Sequence, residues 1–276
     1  MTGAFDAIDK IADVLSEFSG MVMNQFGSNS IWLHVDGSWG AAVMMSDKYR
    51  HYLNGSSRAD SFTFNPHKML GVPLQCSALL VRESDRLART CASNAEYLFH
   101  PSDDAAFDLG DKTLQCGRKV DSLKFFLSWK YYGTSGFGAR VDHAFDLSQF
   151  ASRYIRQSQD MLLAVDVHGA NVCFWYLPTH DDIRSKVLEA VKPKGTHSAD
   201  TRNIPAKYAD SLDKCVRDTY KSLQQRGKAL LNHNPISDQN IPRCFRLVLN
   251  HPSTTESLLV EVFNEIRNAA KEAGWA

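Results

Sequence analysis

The sequence predicts an α/β protein in which helices pack over a sheet. Short apolar runs at 31–36, 61–64 and 76–82 are typical of strands, and a stretch with a helix-ending signal separates the first two. Strand, helix and strand in this order is the pattern of an α/β layer. A chain of 276 residues can bury a substantial core and forms one or two domains.

The elements of the first half follow from apolar spacing and turn residues. Residues 4–18 place their apolar side chains on one face of a helix. Residues 47–53 predict a polar helix, which Asn54 and Gly55 end. The stretch 97–112 has no period and contains a proline and four aspartates, so we expect a long surface loop, a kind that often acts as a lid.

The second half predicts two helices and then a smaller sheet. The helices lie at 120–132 and 138–157, and the glycines between them do not form a dinucleotide fingerprint but a helix stop and restart. Further strands are expected at 162–165, 171–177 and 244–250, and further helices at 206–226 and 255–273. We therefore predict a partial large domain over residues 1–158 and a small C-terminal α/β domain over residues 159–276.

Composition and charge restrict the function classes. Thirty-one basic residues balance thirty-one acidic ones, so nothing indicates a nucleic acid or an anionic membrane as partner. No apolar run approaches the roughly 18 residues of a membrane span, and the first residues lack the pattern of a secretory signal. The six cysteines have no paired metal-type spacing, which is typical of reduced thiols in a cytoplasmic protein.

Polar residues at strand ends form the candidate site. Asn65, His67 and Lys68 follow the strand that ends at residue 64, Asp36 ends the preceding strand, and Arg246 lies inside a late strand. In α/β sheets the reactive groups gather outside strand ends. Taken singly, four of them have an ordinary alternative: Lys68 as a turn lysine, His67 as a turn histidine, Asp36 as a turn or capping acid, and Arg246 as a strand arginine with a solvated or paired head.

Together these residues fit pyridoxal-phosphate chemistry. A lysine can form an imine with the cofactor when its surroundings lower its pKa, and an acid near the pyridine nitrogen keeps the ring protonated and electron-withdrawing. Asn65 and His67 are close enough in sequence to serve the phosphate. An amino-acid substrate needs a cation for a carboxylate, and the planar fork of an arginine suits it.

Five stretches carry a family resemblance. They are Trp32-Leu-His-Val-Asp-Gly-Ser-Trp-Gly40, Asn65-Pro-His-Lys-Met69, Gly71-Val-Pro-Leu-Gln-Cys-Ser77, Gly110-Asp-Lys-Thr-Leu-Gln-Cys-Gly-Arg118 and Asn171-Val-Cys-Phe-Trp-Tyr176. In this order they resemble the group II pyridoxal-phosphate-dependent decarboxylases, and within them glutamate decarboxylase and cysteine sulfinate decarboxylase. The resemblance runs from Gly3 to the C-terminus, interrupted mainly at 20–30 and 180–240.

The resemblance implies a fold type I enzyme that removes the α-carboxylate of an acidic amino acid: glutamate, aspartate or cysteine sulfinate. By the same resemblance Lys68 carries the cofactor imine, and Asp36 pairs with the pyridine nitrogen. Asn65 and His67 lie at the cofactor phosphate, with His67 also near the imine. Arg246 holds the substrate carboxylate. A homodimer is expected when the N-terminal part of the family's large domain is present.

Four features depart from the family pattern. The chain begins partway through the large domain, so we expect an N-terminally truncated protein that binds the cofactor weakly. Gly37 and Ser38 replace two small alanines, one of which lies against the cofactor ring, so Ser38 is expected at the cofactor. Residues 20–30 are a surface insertion or an error in the coding sequence. Phe107 replaces the tyrosine thought to protonate the carbanion, and phenylalanine has no proton to give.

Three hypotheses for the function follow. The leading one is a decarboxylase for an acidic amino acid. An alternative of another class is a catalytically incompetent fragment or pseudoenzyme that pairs with a homologue. A further alternative keeps the cofactor but makes an aldehyde or transaminates abortively, because Phe107 alters proton delivery. The sequence does not choose among the three acidic substrates.

Overall fold

Two sheets, one of three strands and one of four, organise the described part of the chain. The structure is a computed structural model, and it describes residues 2–18, 31–93, 95, 109–115, 117, 119–178, 183–191 and 201–275. By compactness the chain forms two units, Asp6–Val141 and Asp142–Ala276, and the second unit also includes Met1–Phe5. The predicted domain boundary after residue 158 stays a prediction.

The three-stranded sheet belongs to the unit Asp6–Val141. Its strands are β1 (His34–Gly37), β2 (Ser61–Phe64) and β3 (Ala78–Val81), in the order β1-β2-β3. β1 and β2 are parallel, and β3 runs antiparallel to β2. The helices α1 (Ile8–Phe18) and α2 (Arg86–Cys91) belong to the same unit. The three predicted strands are confirmed, with β1 and β3 shorter than expected.

The connection from β1 to β2 contains 3-10 turns rather than the predicted polar α-helix. The turns are Gly40–Met45, Arg50–Leu53 and Ser56–Arg58. The prediction of an α-helix over 47–53 is wrong because Gly55, with φ 88°, ends the stretch after too few residues for α-helical hydrogen bonds to propagate. The first of these turns buries four apolar residues: Ala41, Ala42, Val43 and Met45.

The helix α3 (Asp121–Gln157) is broken at Gly133, where φ is 68° and ψ is 174°. The predicted stop and restart is therefore confirmed. Gly138 lies just after the restart, and a Cβ there would be 2.6 Å from the carbonyl oxygen of Met45. Only a glycine lets the helix backbone approach the buried turn of Met45 this closely. This approach packs α3 against the connection that follows Asp36.

The four-stranded sheet belongs to the second unit and is antiparallel throughout. Its strands, in the order β4-β5-β7-β6, are β4 (Met161–Leu163), β5 (Asn171–Tyr176), β7 (Ile241–Val248) and β6 (Asn232–Ile236). The helices are α4 (Ile183–Ala190), α5 (Ala206–Arg226) and α6 (Glu256–Glu272). Phe263 of α6 is fully buried and lies 5.6 Å, edge to face, from Phe174 of β5. Phe174 also lies 5.8 Å from Phe245 of β7, so this buried aromatic cluster packs against the strand that carries Arg246.

Three further observations complete the fold. Thr255 caps α6, because its side chain accepts the N–H of Leu258 at 3.2 Å. Among the described residues, every helix is too short or too polar to cross a membrane. The five described cysteines, which are Cys76, Cys91, Cys173, Cys215 and Cys244, are all free thiols.

Candidate active site

Asp36 is the third residue of β1, and its side chain is exposed to solvent. Its Oδ1 accepts the backbone N–H of Ser38 at 3.0 Å and also the hydroxyl of Ser38. These hydrogen bonds, followed by the positive charges of Lys68 and His34, outweigh partial burial and hold the pKa of Asp36 below its usual value. Asp36 is therefore a carboxylate at neutral pH.

Lys68 lies in the turn after β2. The turn is closed by two backbone bonds, from the N–H of Lys68 to the carbonyl of Asn65 at 3.0 Å and from the N–H of Gly71 to the carbonyl of Lys68 at 3.2 Å. The side chain of Lys68 is half-buried, and its charge acts on Asp36. The structure thus brings Asp36 and Lys68 together, as expected where the carboxyl ends of two parallel strands meet.

The imidazole ring of His67 contacts the backbone of Cys76. Its Nδ1 lies 2.6 Å from the carbonyl oxygen of Cys76 and 3.2 Å from the N–H of the same residue. The shorter contact favours the tautomer with the proton on Nδ1, which donates to the carbonyl and leaves the lone pair on Nε2. Cys76 is itself fixed, since it is buried and its thiol donates to the carbonyl of Asp121 at 3.5 Å. The ring of His67 is therefore oriented before any ligand binds.

Asn65 has a buried side-chain oxygen, and no described residue donates a hydrogen bond to it. Buried polar atoms usually have a partner, so this amide indicates a group that remains to be bound. A side-chain amide offers either its oxygen or its two N–H donors. Asn65 stands three residues before Lys68, in the same turn.

The sequence analysis missed a polar network on the face that carries Asp36. His34 Nδ1 lies 2.7 Å from the hydroxyl of Ser61, and His34 Nε2 lies 3.3 Å from the hydroxyl of Thr63. The indole of Trp32 donates to Ser61 at 2.8 Å. Because side chains alternate along a strand, His34 faces the same side as Asp36. That period of two was the signal that could have identified His34.

Arg246 belongs to β7 in the second unit. It stands opposite Cys173 of β5 and Asn232 of β6. Its side chain is half-buried and lines a cleft of about 650 Å³, together with Lys228 and Leu258. Its Nε is buried, and no described residue accepts a hydrogen bond from it. An oriented guanidinium with an unmatched donor is a candidate anion site.

Two features of the sequence analysis cannot be placed. Phe107 and residues 20–30 lie outside the described residues. Their predicted roles, in proton delivery and as an insertion, stay predictions. The same holds for most of the predicted loop at 97–112.

The fold and the residues at the strand ends are those expected of fold type I and of a pyridoxal-phosphate-dependent family. Residues 1–177 match the conserved domain of the pyridoxal-dependent decarboxylases, and the chain belongs to this family, whose cofactor is pyridoxal 5'-phosphate. The expected family and fold class are confirmed.

Solved structures give the nearer relationships. The chain is similar to mouse cysteine sulfinate decarboxylase (CSAD), with a TM-score of 0.80 and 32% identity over 98% of this chain and 50% of that one. The apo form gives a TM-score of 0.78 and 31% identity over 98% and 50% of the two chains. A TDC of Oryza sativa, solved with PLP and tryptamine, has a TM-score of 0.73 at 23% identity over 98% and 48% of the chains, which shows the fold alone. The chain thus spans about half the length of the structures it matches.

The residues present fit the cofactor. The unmatched amide of Asn65 and the oriented ring of His67 are polar groups of the kind that hold a phosphate. Lys68 supplies an amine in the same turn, and Asp36 supplies an ionised acid beside it. This donor set contains an amine, an acid and phosphate partners, which are the three kinds of group that pyridoxal phosphate requires.

Proposed function

We propose that the whole protein decarboxylates an acidic amino acid, namely glutamate, aspartate or cysteine sulfinate, and that this chain carries the cofactor lysine. The observation that carries the proposal is the ionised Asp36 beside Lys68 at the ends of two parallel strands. The similarity to mouse CSAD, at 31–32% identity, supports the acidic class of substrate.

Four residues of the unit Asp6–Val141 have a role in the proposal: Asp36, Asn65, His67 and Lys68. When bound, pyridoxal 5'-phosphate supplies the sink for the electron pair of the broken Cα–carboxyl bond. Lys68 would hold the cofactor covalently through its amine. Asp36, kept ionised by its neighbours, stabilises a proton on the ring nitrogen. Asn65 and His67 hold the phosphate, and the bond of His67 to Cys76 fixes where its Nε2 points.

Arg246 holds the substrate carboxylate in this proposal. Its buried Nε and its place in a cleft of about 650 Å³ support that role. Arginine donates two parallel bonds to a carboxylate, which lysine cannot do in the same geometry. We therefore expect Arg246→Lys to weaken substrate binding while leaving the cofactor attachment at Lys68 intact.

Borohydride trapping tests the cofactor site directly. The purified chain is incubated with pyridoxal 5'-phosphate and reduced, which fixes even weakly held cofactor on its lysine, and the peptides are mapped by mass spectrometry. The label is expected on Lys68 and is lost in Lys68→Arg. The exposed Lys10 provides the matched control, since Lys10→Arg should change nothing. A label spread over surface lysines in both variants would refute the site.

Product analysis tests the reaction. Glutamate, aspartate and cysteine sulfinate are compared with tryptophan, and amine, aldehyde and pyridoxamine phosphate are quantified. Amine from an acidic substrate supports the proposal, whereas aldehyde or pyridoxamine phosphate supports altered proton delivery through Phe107. Trapping at Lys68 with no turnover of any substrate supports the catalytically incompetent alternative.

The proposal includes a cytoplasmic protein that forms a homodimer when the N-terminal part of the family's large domain is present. Light scattering at several protein concentrations measures the mass in solution, and fractionation of cells locates the protein. A monomer at every concentration, measured on a protein that includes the N-terminal part, would contradict the dimer.

A further inference from the structure

We propose that Ser38 acts on the cofactor through Asp36, by fixing one carboxylate oxygen with two donors and leaving the other oxygen for the ring nitrogen. Ser38 is in this sense a positioning residue. The inference rests on the proposed function, because it takes Asp36 as the partner of the ring nitrogen.

The contacts of Asp36 are unevenly divided between its oxygens. Oδ1 receives both the backbone N–H of Ser38, at 3.0 Å, and the hydroxyl of Ser38. Within the described part of the chain, Oδ2 of Asp36 receives no hydrogen bond. Two donors from one residue fix the rotation of the carboxylate, so Oδ2 is held in a single direction.

The hydroxyl is the distinctive part of this arrangement. The backbone bond alone forms an ordinary turn in which an aspartate accepts the N–H two residues later. The hydroxyl adds a donor that the alanine expected from the resemblance at this position cannot provide. Asp36 thus carries one more hydrogen bond than such an alanine allows.

Donors to a carboxylate stabilise its ionised form. The hydroxyl of Ser38 is the largest cause of the lowered pKa of Asp36, ahead of the backbone N–H. A weaker base holds the proton of the ring nitrogen less firmly. The consequence is a cofactor ring that loses its proton more readily than it would beside an alanine.

Other charges near Asp36 are separable from Ser38. Lys68, after β2, and His34, on β1, also lower the pKa of Asp36, and Thr63 stands opposite Asp36 on β2 without a charge. A change at Ser38 leaves all three in place. The effect of the hydroxyl can therefore be measured by itself.

The test uses the full chain without cofactor. Aspartates are labelled with ¹³C at the carboxyl group, and the shift of Asp36, assigned with Asp36→Asn, is followed against pH. We expect Ser38→Ala to raise the pKa of Asp36 and Ser38→Thr, which keeps a hydroxyl, to restore it. Ser57→Ala, at an exposed serine of the same unit, is the control and should leave the titration unchanged. An unchanged pKa in Ser38→Ala, or equal shifts in the Ala and Thr variants, overturns the inference.

A second measurement links the titration to the cofactor. In the loaded chain, the acid limb of the cofactor's absorbance change should move to higher pH in Ser38→Ala and return in Ser38→Thr. A shifted Asp36 with unshifted absorbance refutes the action on the cofactor. Absence of trapped cofactor on Lys68 refutes the proposed function and this role of Ser38 together, while the titration of Asp36 without cofactor still reports whether the hydrogen bond exists.

Discussion

Gly37 packs so closely that alanine at this position should destabilise the sheet beside Asp36. A Cβ on residue 37 would lie 2.7 Å from Cζ of Phe62 and 2.8 Å from Cβ of Ala41. Carbon atoms in contact prefer about 3.5–4.0 Å. Ala41 is fully buried and has no rotamer to change, so the strain falls on the backbone and on Phe62.

The size of the effect follows from these contacts. Overpacking a core by one methyl group typically costs about 1–3 kcal/mol. Phe62 is half-buried and lines an open cleft of about 620 Å³, so its ring can give way toward that cleft. Ala41 cannot give way in the same manner. We therefore expect Gly37→Ala to lower the free energy of unfolding by about 1–3 kcal/mol.

Urea unfolding followed by circular dichroism measures this loss. Gly117→Ala is the matched control, because a Cβ at Gly117 meets nothing within 4 Å and its φ is not positive. Phe62→Leu should recover part of the loss, so the two changes at 37 and 62 will show a favourable coupling in a double-mutant cycle. Gly37→Ala with the stability of the unchanged chain would refute the close packing, and a coupling of zero would refute the assignment to Phe62.

Three further predictions concern the second unit. Burial raises the pKa of Asp160, but the hydrogen bonds and charge of Arg267, at 2.7 and 3.0 Å, outweigh it and hold the pKa below its usual value. Asp160→Asn should lower the free energy of unfolding at pH 7. The difference from the unchanged chain should shrink as pH falls below about 4, because an unfolded aspartate protonates there and the stabilisation from the lowered pKa is lost. A difference that does not depend on pH would contradict this. Phe263→Ala should cost about 3–5 kcal/mol in urea unfolding, since it removes a fully buried ring, and a loss below 1 kcal/mol on the same scale would contradict its central place in the core. Burial raises the pKa of Cys215 to about 12, so at pH 8 iodoacetamide should label half-buried Cys91 and reach Cys215 only after unfolding, as mass spectrometry of the peptides will show.

Periodic and capped elements could be predicted from the sequence because their signals are local. The helix at 206–226 coincides with α5, and the helix at 255–273 differs from α6 by one residue at each end. The glycine break at 133 was also local, since only a residue that tolerates a positive φ could stand there. Local signals were misleading where tertiary packing determines the backbone conformation, as in the 3-10 turns between β1 and β2.

The strand β6 shows what the sequence could not predict. Its residues Asn232, Asn234 and Pro235 are poor strand formers, and no apolar alternation marks them. They are extended because β7 provides hydrogen-bond partners, with Asn232 opposite Arg246 and a shift in register near Ile236. Pairing with a distant strand is a property of the folded chain, so a local pattern does not carry it.

The part of the candidate site that lies at strand ends could be predicted from the sequence. Asp36 and Lys68 were placed at neighbouring strand ends by the sequence, and the parallel pairing of β1 and β2 brings them together. The sequence could not give the partner of His67, because the carbonyl of Cys76 reaches it only through the course of the intervening loop. Nor could it reveal that no residue in the described part of the chain donates to the amide oxygen of Asn65.

The groups that keep Asp36 ionised all belong to the same unit as Asp36. Its main donors come from Ser38, and the remaining influences come from Lys68 and His34, all within the unit Asp6–Val141. Every proposed cofactor residue therefore belongs to one unit, whereas Arg246 belongs to the other. An ionised acid costs free energy when its stabilising partners arrive only on assembly, and here they are present within the same unit. The proposed cofactor chemistry thus depends on one unit for its electrostatics, and the proposed recognition of the substrate depends on the other.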